Sequence, residues 1–160
     1  SHGVKSKRYF HYVSGHNFRL TNLQAAIGFS QIKKFKKIMS KRKKIYKFYL
    51  NFFKNLKLKN LVFQKIHKNM DFVPWTLALN LINCTENFRD KLIINMKKKK
   101  IETRNGFYFP KRLPMYKNIE NLKNSSKLSK QVICLPIFYD LDEKLVNKVS
   151  NSLNECLENK

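Results

Sequence analysis

The sequence predicts an α+β domain: a small sheet covered by helices on one face and led by one long linking helix. Three observations carry that expectation. One helical pattern runs from Thr21 to about Asn55, with apolar residues at three- and four-residue steps between lysines. Beyond it the pattern breaks into short apolar strands alternating with amphipathic helices. The chain has 160 residues, 42% hydrophobic and 13% aromatic, which is enough for one modest core and too apolar for a disordered chain.

The long helix has a clear start. Thr21-Asn22-Leu23-Gln24 fits a capping box, in which Thr21 and Gln24 satisfy each other's backbone N–H, and Leu20 stands at the staple position. Leu23, Ala26, Ile27 and Ser30 then share a face, while Ala25, Ala26 and Gly28 are small enough to admit a neighbouring backbone. Phe35, Ile38, Met39, Ile45, Phe48, Tyr49 and Phe52 continue the stripe. Lys33-Lys34, Lys36-Lys37 and Lys41-Arg42-Lys43-Lys44 form a basic outer face, and a break is expected near Ser40. A basic amphipathic helix can lie on a membrane, but the length and the small residues favour a scaffold helix.

The later elements follow from local pattern. Leu61-Val62-Phe63 is a short strand candidate, and Phe72 to Ile82 a longer one with Pro74 near its start. Thr85 caps a helix whose apolar face is Phe88, Leu92, Ile93 and Met96, closing in Lys97 to Lys100 at the negative dipole end. Ile101 to Arg104 reads as a strand. Asn105 to Tyr116, with two prolines, Gly106 and several aromatics, reads as a loop of restricted shape. A short helix over Lys127 to Gln131 leads into a buried strand, Val132 to Leu135, stopped by Pro136. Asp140 or Asp142 caps the last helix, with Leu145, Val149, Leu153 and Leu157 in register.

Thirty-four Lys and Arg against ten Asp and Glu give a net charge of +24. That excess raises nucleic acid as a partner. The predominance of Lys over Arg, which reads phosphates and bases bidentately, argues for a solvated basic surface instead. Basic residues interleaved with aromatics in the first fourteen positions keep single-strand stacking open. No apolar run approaches the roughly 20 residues of a membrane-spanning helix. Cys84, Cys134 and Cys156 have no metal spacing and fit reduced thiols in a cytoplasmic protein. The four histidines have no metal-ligand spacing, so no metal site is expected, and no P-loop, glycine fingerprint or nucleophile elbow is present.

One set of residues forms a specific pattern. Gly15-x-Asn17-x-Arg19-Leu20 is followed, after a short gap, by Gln24-Ala25-Ala26-Ile27-Gly28 and Gln31, with His2-Gly3 upstream. Thr103-Arg104, Phe109-Pro110, Tyr116 and Leu135-Pro136 come later. This resembles the DegT/DnrJ/EryC1/StrS aminotransferases, pyridoxal-phosphate (PLP) enzymes that aminate keto sugars carried on nucleotides. The resemblance runs nearly to the end of the chain. It implies the C-terminal small domain of a fold-type-I PLP aminotransferase, with residues 1–20 ending the large domain, 21–55 the linking helix and 56–160 the small domain. Arg42 and Tyr49 match residues common in the family's linking helix.

The resemblance also implies roles. Asn17 is expected to reach the phosphate of the PLP in the neighbouring subunit of a homodimer, with Arg19 supporting it or a carboxylate. Arg104, Lys111 and Arg112 are expected on the nucleotide-sugar side. The family's usual His is replaced near Lys111 or Arg112, which leaves the sugar unspecified. The implied reaction is transamination from glutamate to a nucleotide-linked keto-deoxy sugar, feeding surface polysaccharide synthesis. The lysine that holds PLP lies upstream of the His-Gly pair in the family, so this stretch, which begins with Ser1, is expected to be inactive alone. The contrasting expectation is a non-catalytic basic module on nucleic acid or another polyanion, or a domain kept for assembly.

Overall fold

In a computed structural model the chain is described at residue 16 and over residues 18–56, 60–113, 116, 118, 120 and 122–158. Two compact units divide it, Ser1–Lys36 and Lys37–Lys160.

The described part of the first unit is the entry into helix α1 (Asn22–Asn55). The Thr21 backbone N–H donates to Gln24 Oε1 at 3.0 Å, and the Gln24 N–H donates to Thr21 Oγ1 at 3.3 Å. The reciprocal cap read from the sequence is therefore formed. The helix is continuous, without the expected break near Ser40. Ser40 has no proline nearby, and the surrounding lysines are good helix formers. Leu23, Ile27, Phe29, Ile32 and Phe35 are all exposed, and at 100° per residue they point to several sides of the helix.

The second unit is an α+β domain. Its strands are β1 (Leu61–Phe63), β2 (Leu77–Leu81), β3 (Arg104–Asn105) and β4 (Val132–Leu135), joined by α2 (Glu86–Lys98) and α3 (Lys123–Gln131) and closed by α4 (Glu143–Glu158). The sheet order is β1-β2-β4-β3, and every neighbouring pair is antiparallel. Register places Leu79 opposite Phe63 on one side and Ile133 on the other. Side chains alternate across a strand, so Leu77, Leu79, Leu81, Ile133 and Leu135 form one face. That face is buried under Ile45 and Tyr49 of α1, Leu92 and Met96 of α2, and Val146 and Leu153 of α4.

Caps fix the helices where the sequence put them. Thr85 accepts from the Phe88 N–H at 3.2 Å, and Asp142 Oδ1 accepts from the Leu145 N–H at 2.8 Å. The Tyr49 hydroxyl donates to the Pro136 carbonyl at 3.1 Å, tying α1 to the end of β4, and burial holds the phenol above its ordinary pKa.

Element lengths differ from expectation in four places. The strand expected from Phe72 begins only at Leu77, because Arg42 Nη1 takes the Pro74 and Trp75 carbonyls at 3.2 and 3.1 Å. The strand expected from Ile101 begins only at Arg104; Lys100, at φ 60°, turns the chain out of α2 and delays it. α3 starts at Lys123, a turn earlier than read. In α4 Val149 and Leu153 are buried as expected, but the first core position is Val146, and Leu145 is 40% exposed.

Candidate substrate groove

The sheet's other face is bordered by α3, whose Ser125, Leu128 and Ser129 line a groove there. Val62, Ala78, Asn80, Val132, Cys134 and Arg104 share that face by register. The groove has a volume of about 510 Å³. Ala78 and Cys134 floor it, Trp75, Phe107 and Phe109 wall it, and Arg104 reaches into it from the edge strand. The loop after β3 hugs the sheet. The Gly106 N–H donates to the Val132 carbonyl at 3.2 Å, and a Cβ at Gly106 would stand 3.0 Å from Val132 Cγ1. A side chain at this position would have to push Val132 back by a few tenths of an ångström.

The groove's chemistry is a cation beside two flat rings. Trp75 and Phe107 stack with centroids 6.3 Å apart at 26°. The Arg104 guanidinium lies 4.9 Å from the Trp75 centroid and 5.8 Å from that of Phe107. Both rings are well exposed, Trp75 at 59% and Phe107 at 76%. Such a group can stack on a flat ring and hydrogen-bond an anion attached to it. Beneath, burial pushes the Cys134 thiol up, and the Arg104 charge only partly counters this, so the sulfur stays a neutral thiol at pH 7.

The five expected site residues are distributed as follows. Arg104 is in the groove. Arg112 ends a 3₁₀ turn (Pro110–Arg112) and faces a different hollow of about 400 Å³ on the far side of the loop. There its Nη1 donates to Glu86 Oε1 at 2.5 Å. Lys111 is exposed beside it, and Arg19 is exposed in the first unit. Asn17 lies outside the described residues. Among the described residues no three His, Cys, Asp or Glu side chains gather as a metal site, and no helix is long and apolar enough to cross a membrane.

Sequence reading missed four residues here. Trp75 had the pattern of a strand core residue, and Phe107 was one aromatic among several in a loop. Glu86 and Arg89 occupied polar slots of α2. Arg89 is 1% exposed, yet its Nη1 donates to the carbonyls of Ser129 at 3.0 Å and Val132 at 3.3 Å. Its Nε donates to Asp90 Oδ1 at 2.7 Å, and its Nη2 to Glu86 Oε1 at 3.5 Å.

Glu86 is therefore shared by two guanidinium groups. The hydrogen bond from Arg112 leads in holding its carboxyl below the ordinary 4.5; burial opposes this, and the charges of Arg112, Arg89 and Lys130 add to the lowering. A lowered folded-state value stabilises the fold above the unfolded value and is lost as pH falls through the folded one. The domain is thus expected to lose stability below about pH 4.5, and Glu86→Gln to flatten that part of the profile. Urea midpoints from pH 6 to 3 check both.

The chain matches the DegT/DnrJ/EryC1/StrS aminotransferase family over residues 1–154. It is 29% identical to a GDP-perosamine synthase from Vibrio cholerae over 98% of this chain and 41% of that protein. It is 28% identical to a dTDP-4-amino-4,6-dideoxy-D-glucose transaminase from Escherichia coli, over 87% of this chain and 38% of that one. Helicobacter pylori PseC, an aminotransferase of pseudoaminic acid biosynthesis, superposes with a TM-score of 0.85 at 23% identity, covering all of this chain and 44% of that one. A 3-amino-5-hydroxybenzoic acid synthase gives 0.83 at 15% identity, over 99% of this chain and 44% of that one. The chain thus spans about two-fifths of the length of these curated relatives. The fold is the α+β small domain of fold-type-I PLP aminotransferases, led by its long helix. With the match running through all but the last six residues, this chain belongs to the DegT/DnrJ/EryC1/StrS aminotransferase family.

Proposed function

We propose that this chain supplies the small domain and linking helix of an aminotransferase acting on a nucleotide-linked keto-deoxy sugar with glutamate as amino donor. The observation that carries the reading is the Arg104 guanidinium resting against Trp75 and Phe107 in the groove. A nucleotide presents a flat base for the rings and a diphosphate for the cation, and Lys111 adds charge at the same loop. A positively charged surface suits such a dianionic substrate. The residues 1–20, 21–55 and 56–160 serve as the end of the large domain, the linking helix and the small domain.

PLP supplies the electron sink for moving an amino group. The described residues do not form its seat. A lysine that binds PLP covalently sits in a desolvated pocket, and every described lysine except the half-exposed Lys41 is exposed. On this reading the lysine that holds PLP belongs to the large domain upstream, as the family resemblance implies, and the chain alone is inactive. Its own contribution to the cofactor is one donor: Asn17, supported by Arg19, hydrogen-bonds the PLP phosphate of the neighbouring subunit in a cytoplasmic homodimer. Asn17→Ala in the complete polypeptide is expected to lower PLP retention on dialysis at least several-fold. Unchanged retention contradicts the assignment.

A further inference from the structure

The loop that walls the groove is held at both ends by one network. At its start, the Val132 carbonyl accepts from the Gly106 N–H at 3.2 Å and from buried Arg89 Nη1 at 3.3 Å. At its end, Arg112 is bound to Glu86 at 2.5 Å, and Glu86 also receives Arg89. Glu86 opens α2, where a carboxylate is favoured by the helix dipole. Arg112 also lies over the Tyr108 ring, 5.6 Å from its centroid. Between the two anchor points stand Phe107, Tyr108 and Phe109, all of which line the groove.

We propose that the Glu86–Arg112 ion pair is a latch that fixes the Gly106–Arg112 loop over the sheet and so sets the width of the groove. Glu86 and Arg112 are positioning residues: they act on a bound ring through Phe107 and Phe109 and do not touch it. Arg89 is the buried post to which the latch is fastened. The Arg112 side chain belongs to the hollow behind the loop, so its charge serves the carboxylate and not the ligand. The role in ligand fit rests on the groove being the nucleotide-binding surface; the role in loop order does not.

Two measurements on the full 160-residue chain separate these statements. The first is amide hydrogen exchange in Glu86→Gln, Arg112→Ala and Arg112→Lys. The amides of Gly106, bonded to the Val132 carbonyl, and of Arg112 and Leu113, bonded to those of Phe109 and Pro110, are expected to exchange about five-fold faster in the first two, the size of effect an exposed ion pair gives. Arg112→Lys is expected to restore slow exchange, and the amides of Leu79 and Ile133 to stay unchanged in all three. Unaltered exchange at Gly106 and Leu113 overturns the latch, and so does equal acceleration in β2 and β4, which makes the pair a general fold element.

The second measurement is titration with GDP, dTDP and UDP. Weaker binding in Glu86→Gln and Arg112→Ala, recovered in Arg112→Lys, supports the positioning role. Equal binding in all variants overturns it. Binding of none of the three by the parent chain refutes the nucleotide reading, while the exchange result still decides the latch.

Discussion

Arg89→Ala is expected to cost about 3–5 kcal/mol of folding stability, from the cavity it leaves in the interior together with a buried carbonyl stripped of its charged donor. Arg89 is 1% exposed and donates to two carbonyls, Ser129 and Val132, at the junction of α3 and β4. It also pairs with Asp90 and Glu86. Removing it empties a large volume at that junction and leaves the Ser129 carbonyl without its donor. Substituting a partner is milder. Asp90 is 53% exposed and keeps access to water, so Asp90→Asn is expected to change stability by less than about 1 kcal/mol. Arg89→Met fills the volume without the donors and is expected to fall between the two. Urea unfolding of the three variants checks the order. Arg89→Ala within 1 kcal/mol of the parent contradicts the account of this network.

Trp75→Ala is expected to leave stability almost untouched and to weaken nucleoside diphosphate binding by about 10–100-fold, the equivalent of losing one ring that stacks on a base. The side chain is 59% exposed, and its contacts are Phe107 and Arg104 in the groove. Its backbone is held independently, since Arg42 binds the Pro74 and Trp75 carbonyls whatever the side chain. Trp75→Phe retains a ring and is expected to retain most of the affinity. Arg104→Lys is not conservative here, because a lysine keeps the charge but loses the flat fork that lies on the two rings. Calorimetric titration beside a thermal melt separates binding from stability. A variant that melts with the parent and binds equally well contradicts the stacking role.

The long helix was legible because its signals are local. Thr21, Gln24 and the three- and four-residue steps to Phe52 need no distant residue to be read. The strand beginning at Leu77 was legible in kind but not in extent. What stops it at residue 76 is Arg42, more than thirty residues earlier, competing for the carbonyls. Arg89 was invisible for the same reason. A charge among Glu86, Asn87, Asp90 and Lys91 reads as a solvated helix face, and only the Ser129 and Val132 carbonyls, about forty residues on, make its burial affordable.

The groove is the least local feature of all. Arg104 was named from its motif, but its ring partners come from the segment before β2 and the loop after β3, and only the register Ala78–Cys134–Arg104 joins them. The resemblance to nucleotide-sugar aminotransferases pointed at Arg112 as readily as at Arg104. The carboxylate that occupies Arg112 became visible only when the first turn of α2 was set against the 3₁₀ turn.

The central claim is that the chain serves amination of a nucleotide-linked keto sugar. The most direct measurement is release of 2-oxoglutarate by the complete PLP-loaded polypeptide when glutamate and a nucleotide-linked 4-keto-6-deoxy sugar are supplied together. The account predicts release that requires both compounds, with Arg104→Ala raising KM more than it lowers kcat. A PLP-loaded protein that converts glutamate with a simple keto acid but with none of the GDP-, dTDP- or UDP-linked keto sugars would contradict it.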